Sequence, residues 1–239
     1  MNLRVATYNI RHASTNGRYT KEIANLIKNN NIDIIGIQEI DVNTARVGNK
    51  NILEEIAKYS DYKYYQFYKT IDYQGGDYGI GILSKYEIIL TGSMPLAYRD
   101  ESRVLGYAKI NVNDKLVNFL VTHFDLGTYE NIRRTEFLEV KEYIDTQDNF
   151  ILAGDFNVHD WTDKNNSFFE YEEFFGFYNL VNDENNTLYT FSGKEKAGGN
   201  ILPLDNIILS NNIDIINRAV IETNYSDHDL LYADIKLNF

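Results

Sequence analysis

The chain has no cysteine and only 2 prolines among its 239 residues. The first absence excludes disulfide staples and thiolate metal sites, so any metal must be held by oxygen or imidazole. The second leaves no proline-rich linker, and no repeat or low-complexity stretch divides the chain. No run approaches the ~20 apolar residues that a membrane-spanning helix needs. The first ten residues, MNLRVATYNI, lack the apolar core of a secretory signal. These absences lead to the expectation of a soluble, cytoplasmic monomer. Basic residues are also scarce: 23 Lys and Arg stand against 35 Asp and Glu, for a net charge of −12. IRRTE is the nearest approach to a basic cluster, so a broad nucleic-acid footprint is disfavoured. A local pocket for one phosphate is compatible with that balance.

What is present is ordinary for a globular protein, with 44% apolar and 24% charged residues. A chain of this size buries about 70% of the surface it exposes when unfolded. Strand-like runs predominate: LRVATYNI, IDIIGIQE, YKYYQFYKTI, YGIGILS, VLGYAKINV, LVNFLVTHF, NFILAGDFN, LPLDNIILS, IDIINRAVI and LLYADIKLNF. Helical periodicity follows Thr20, an expected N-cap, with Ile23, Leu26 and Ile27 on one face. It recurs with Ile52, Ile56 and Tyr59, and again with Phe137, Val140, Tyr143 and Ile144. NNSFFEYEEFFGFYNL is a weaker helix pattern, because aromatic residues are only moderate helix formers. DIIGI and FILAG are apolar on both faces and belong to sheets covered on both sides. KLVNFLVTH alternates. Mixed sheets with helices outside satisfy both patterns, which gives an α/β layered fold.

The strand-like runs end in groups that are costly to bury. Asn9 follows VATY, Glu39 follows IIGIQ, His123 follows FLVT, and Asp155 and Asn157 follow ILAG. Asp227 and His228 stand in YSDHD, and Asp205 lies inside the apolar run LPLDNIIL. Singly, GDFN reads as an Asx turn and Glu39 as a helix-start carboxylate. Asp205 is harder to dismiss, because a carboxylate within an apolar strand needs a partner. Gathered at one sheet edge, these residues would make a cleft of four carboxylates, two amides and two imidazoles. Crowded carboxylates repel each other and shift toward protonation unless a cation offsets the charge. Oxygen donors with some imidazole suit Mg²⁺ or Mn²⁺.

The ordered set TYNIR, IQEID, YGIGILSKY, VTHFD, AGDFN, LDNIILS and YSDHD resembles the successive motifs of the endonuclease/exonuclease/phosphatase superfamily, the DNase I-like phosphoester hydrolases. The resemblance runs from Asn9 to His228. It implies one catalytic domain over residues 1–239, built as a four-layer α/β sandwich of two mixed β-sheets packed face to face. It also implies Mg²⁺-dependent phosphoester hydrolysis. By the same resemblance Glu39, Asn9 and Asp227 are metal ligands, and Asp155 and Asn157 orient water and a phosphate oxygen. His228, paired with Asp205, and His123 would serve proton transfer and phosphate contact. Members differ over whether the histidine or the GDFN aspartate is the base, and both stay open here.

Tyr78 and Arg103 are secondary candidates for substrate binding, Arg103 as a bidentate phosphate clamp. His12, His159 and Trp161 are assigned to the rim. The stretch YKYYQFYKTIDYQGGDY is either a stacking platform or packed strand, and packing is preferred. The compact acidic chain favours a small or lipid-derived phosphoester over DNA or RNA. A catalytically silent metal-binding module is the remote alternative, since every core position is filled.

Overall fold

Segments that are apolar on both faces form the centre of the molecule. The computed structural model describes residues 1–126, 130–158, 169–192 and 202–239. Strands β1 (Asn2–Asn9), β2 (Ile34–Val42), β3 (Tyr64–Tyr73), β4 (Gly76–Ser84), β11 (Ile213–Ile221) and β12 (Leu230–Leu237) make one sheet, in the order β11-β12-β1-β2-β4-β3. Strands β5 (Glu87–Leu96), β6 (Arg103–Val112), β7 (Lys115–His123), β8 (Phe150–Asp155), β9 (Asn179–Leu180) and β10 (Asp205–Leu209) make the other, in the order β5-β6-β7-β8-β10-β9. Each sheet has one parallel pair at its centre, β1 with β2 and β7 with β8, among antiparallel neighbours. Mixed sheets of this kind bury both faces. β8 is buried along its whole length, as FILAG predicts.

The sheets pack face to face through Val5, Ile82, Phe119, Val121, Ile151 and Ile207. Helices Thr20–Asn29 and Ile52–Ser60 cover the outer face of the first sheet over Ile23, Ile27, Ile35, Ile37 and Ile56. Helices Glu130–Ile144 and Phe169–Phe175 cover the second over Phe137, Val140, Ile144, Leu152 and Phe175. The result is the four-layer sandwich. Among the described residues no helix is long and apolar enough to cross a membrane.

Two local expectations change, and one weak expectation holds. Thr20 is the first helical residue rather than the cap, which is Tyr19; its hydroxyl donates to Gly17 O at 2.8 Å. The aromatic segment does form a helix, because Tyr171, Phe174 and Phe175 stack around Phe137 and a buried Arg133–Glu170 pair at 2.9 Å joins the two helices. Burial here outweighs propensity. β5 is a strand with no counterpart among the sequence runs. It is an edge strand, mostly exposed, and Gly92 and Pro95 interrupt its pattern. The tyrosine-rich stretch is packed as strand β3, with Tyr68 Oη donating to Tyr107 O at 2.6 Å. His159 and Trp161 lie outside the described residues.

Gly36 of β2 faces the second sheet at close range. A Cβ there would lie 2.9 Å from Val121 Cγ2 and 3.3 Å from Ala153 Cβ. Gly36→Val should therefore destabilise the protein by about 1–3 kcal/mol, the usual cost of overpacking. Urea denaturation would read this as a lower midpoint; an unchanged midpoint would contradict the close approach.

Candidate active site

The polar groups that end the apolar runs meet at one edge of the sandwich. β1, β7 and β8 bring Asn9, His123 and Asp155 there as their last residues, and β2 brings Glu39 from a bulge within the strand. The antiparallel strands β10 and β12 bring Asp205 at a strand start and His228 just before one. Register aligns the second sheet: His123 pairs with Asp155, and Asp155 with Asp205. On the first sheet a bulge between Ile37 and Ile40 puts Glu39 in a left-handed conformation, φ 57°. A bulge of this kind re-aims a side chain at a strand end.

Asn9 joins the two sheets. Its Nδ2 donates to Glu39 Oε1 at 2.9 Å and to Asp155 Oδ2 at 3.0 Å. Its Oδ1 accepts from Arg11 N at 3.0 Å. That bond starts a left-handed turn in which Arg11 to Thr15 all have positive φ. Non-glycine residues in this conformation cost on the order of 1–2 kcal/mol each. The turn brings Arg11 Nε to 3.4 Å from Asp227 Oδ2 and His12 Nε2 to 3.4 Å from Glu39 Oε2. Strain of this kind clusters at functional sites. Ser226 Oγ donates to Asn9 O at 2.8 Å and holds the YSDHD loop against β1.

His228 is wedged between two carboxylates. Its Nδ1 lies 2.8 Å from Asp205 Oδ2 and its Nε2 3.5 Å from Asp155 Oδ2. The ring of Phe191 packs against it. Burial disfavours the imidazolium, but Asp205 and Asp155 outweigh burial and raise the pKa to about 10. Burial pushes Asp155 up to about 7, against the opposing pull of His228 and the Asn9 hydrogen bond. Burial also raises Glu39, and the charge of Asp227 adds to that shift. Asn157, at φ 50°, donates its N–H to Asp155 Oδ1 at 3.0 Å and one amide hydrogen to Phe124 O.

His12 and His123 have the opposite electrostatics. His12 is held down to about 4 by burial and by Arg46, and burial and Arg103 hold His123 well below its ordinary value. Arg103 is 6% exposed, and its Nη1 lies 2.8 Å from Glu101 Oε1 and 3.2 Å from His123 Nδ1. It stands behind the histidine rather than open to the cleft. Tyr78 is buried beside His12, with ring centroids 5.6 Å apart, on the Glu39 side.

All the core candidates are thus brought together. His12 is not a rim residue as expected, and Asp41 and Arg46, which carry no sequence motif of their own, join it. Arg46 binds the fully buried Asp41 through Nε and Nη2, and donates to His12 Nδ1 at 2.8 Å. The available signal was their place a few residues beyond Glu39 in IQEIDVNTAR.

For a metal, two donor sets stand side by side. Among the described residues, Asp155, Asp205 and His228 offer atoms within 4.8 Å of one another. His228 Nδ1 already bonds Asp205, which suits proton placement better than metal ligation. Glu39 and Asp227 fit a hard divalent cation, because such an ion would offset the repulsion between them; Asn9 would add Oδ1, which also accepts from Arg11 N.

Both the sequence and the fold resemble known proteins. The sequence model described as the Endonuclease/Exonuclease/phosphatase family matches residues 6–228. An endonuclease/exonuclease/phosphatase from Beutenbergia cavernae aligns with a TM-score of 0.77 at 16% identity, covering 99% of this chain and 72% of that one. The Bacteroides vulgatus endonuclease/exonuclease/phosphatase aligns at 0.74 and 20% identity over 99% of both chains. D. rerio TDP2, complexed with single strand DNA product, aligns at 0.75 and 16% identity over 98% of this chain and 99% of its own. No curated protein matches.

The position of His228 has a measurable consequence. Its folded-state pKa of about 10 exceeds the unfolded value of about 6.5. Its contribution is therefore complete below pH 6.5 and is lost as pH rises through 10, by up to about 1.4 kcal/mol per pH unit. Metal-free protein should lose stability from pH 7 to 9 in urea titrations, and His228→Gln should flatten that slope. An equal slope in both proteins would contradict the clamped imidazolium.

Proposed function

Because the chain belongs to the endonuclease/exonuclease/phosphatase family, a family of phosphoester hydrolases, we propose that it is a Mg²⁺- or Mn²⁺-dependent phosphodiesterase for small or lipid-derived esters. The reading takes residues 1–239 as a single catalytic domain. The observation that carries it is the single Asn9 amide tying Glu39 to Asp155, with Asp155 in turn beside the Asp205–His228 pair.

Glu39, Asn9 and Asp227 would hold the cation. When bound, it would neutralise charge on a phosphoryl oxygen and stabilise the leaving oxygen. Asp155, with a pKa of about 7 in the metal-free protein, is suited to take a proton from the attacking water near neutral pH. The Asn157 N–H bonded to Asp155 Oδ1 fixes the carboxylate's orientation. His228 is positively charged at the same pH and stabilises negative charge growing on phosphorus oxygens. Asp205 fixes its Nδ1–H and supports the imidazolium. His123 supplies a further contact to the phosphate. Tyr78 and His12 border the Glu39 side of the site.

A net charge of −12 supports small esters over polymeric nucleic acid. A second reading, a nuclease acting on DNA, is favoured by the likeness to the D. rerio TDP2 structure with its single strand DNA product.

Purified protein would be assayed with Mg²⁺ on bis-p-nitrophenyl phosphate, p-nitrophenyl phosphate, sphingomyelin, single-stranded RNA and plasmid DNA. Turnover should concentrate on the small or lipid esters and vanish with chelation. Glu39→Ala and His228→Ala should each lower it by at least 10²-fold, in the range seen when a transition-state donor is removed, with the folded spectrum retained. Efficient cleavage of nucleic acid would instead select the second reading. Undiminished turnover in either variant would remove the site assignment.

A further inference from the structure

The same chemical device occurs twice at this site, once from each sheet. Near the first sheet, fully buried Asp41 accepts two bonds from Arg46, Arg46 Nη2 meets His12 Nδ1 at 2.8 Å, and His12 Nε2 lies 3.4 Å from Glu39 Oε2. On the second, Glu101 accepts from Arg103 at 2.8 Å, Arg103 Nη1 meets His123 Nδ1 at 3.2 Å, and His123 Nε2 lies 3.6 Å from Asp155 Oδ2. Asp125 Oδ1 stands 3.9 Å from the other Arg103 terminus. Each chain runs carboxylate, guanidinium, imidazole, carboxylate. The two end carboxylates are those joined by Asn9.

A guanidinium has five N–H donors and no acceptor. A ring nitrogen that bonds to it must present a lone pair. Nδ1 of both His12 and His123 is therefore unprotonated, and the ring proton resides on Nε2. His228 is set the other way, because Asp205 can only accept and so requires Nδ1–H. The arginines are themselves restrained. Arg46 is held by two bonds to Asp41, and Arg103 is 6% exposed with its Nη1 shared between Glu101 and His123. Neither Nε2 contact amounts to a strong hydrogen bond at these lengths, so both N–H groups can serve an incoming oxygen.

We propose that Arg46 and Arg103 are positioning residues that fix His12 and His123 as Nε2–H donors, so that both rings meet phosphoryl oxygens with a hydrogen and never with a lone pair. The donor role rests on the phosphodiesterase reading; the proton placement does not. Neither ring exchanges a proton during the reaction. The arginines act one step back from substrate, through the rings they touch.

The test is long-range ¹H–¹⁵N correlation of the imidazoles in histidine-labelled protein at pH 7.5, assigned with single His→Gln variants. His12 and His123 should each show an unprotonated Nδ1 and a protonated Nε2. An Nδ1–H or doubly protonated pattern at either ring in the wild type overturns the proposal, whatever the activity. Arg46→Lys and Arg103→Lys keep a donor-only partner and should retain the pattern. Arg46→Gln and Arg103→Gln can also accept, and should give mixed tautomers with kcat on bis-p-nitrophenyl phosphate lowered at least tenfold, a loss that Lys partly restores. Gln variants with mixed tautomers and wild-type kcat would overturn the positioning role. A protein inactive on every ester, yet with both rings as Nε2–H, would bear out the proton placement and count against the substrate reading alone.

Discussion

Glu39 comes from one sheet and Asp155 from the other, and the Asn9 side chain gives one hydrogen bond to each. Two carboxylates brought this close out of water repel each other, and burial already raises both. A primary amide is well suited to the position. It has two donors for two acceptors, carries no charge and leaves its oxygen free. That oxygen accepts from Arg11 and begins the left-handed turn. One side chain thus sets the spacing of the carboxylates and the path of the segment that carries Arg11 and His12. Leucine at this point would leave both carboxylates short of a donor, and aspartate would add a third negative charge.

The two sheets make such a bridge dependable. Their shared interior is apolar and close-packed, so their relative position is fixed by van der Waals contact rather than by the polar edge. The parallel central pairs deliver four strand ends to the same side. Residues at those ends inherit the rigidity of the sheet, and beside them the Glu39 and Asp227 side chains stay partly exposed. The Glu39 bulge and the positive φ values at Glu39, Asn157 and Arg11–Thr15 fall at this edge, while the other left-handed residues lie elsewhere in the chain.

Three histidines of one site are set in two different ways by what touches them. Two carboxylates make His228 a cation near neutral pH. Burial and a guanidinium keep His12 and His123 neutral. The site therefore combines one fixed positive charge with neutral rings, although the residue type is the same at each position. The difference lies wholly in the partner at Nδ1: Asp205 in one case, Arg46 or Arg103 in the others.

The residues of the site were legible in the sequence because an apolar run that stops on Asn9, Glu39, His123 or Asp155 is a local signal. The layered fold followed from runs such as DIIGI and FILAG for the same reason. β5 escaped because an exposed edge strand needs no apolar face, and its pairing with β6 is what makes it a strand. Arg46 and Asp41 escaped because a charge pair in a polar segment looks like solvated surface until a neighbour buries it. Which chemical groups end the strands is thus set locally, since hydrophobic periodicity is carried by adjacent residues. Which group touches which follows from how the two sheets pack. Asn9 and Asp155 lie 146 residues apart, and His228 and Asp205 23 apart. Proton positions and charge depend on contacts within a few ångströms, and the packing of the two sheets creates those contacts.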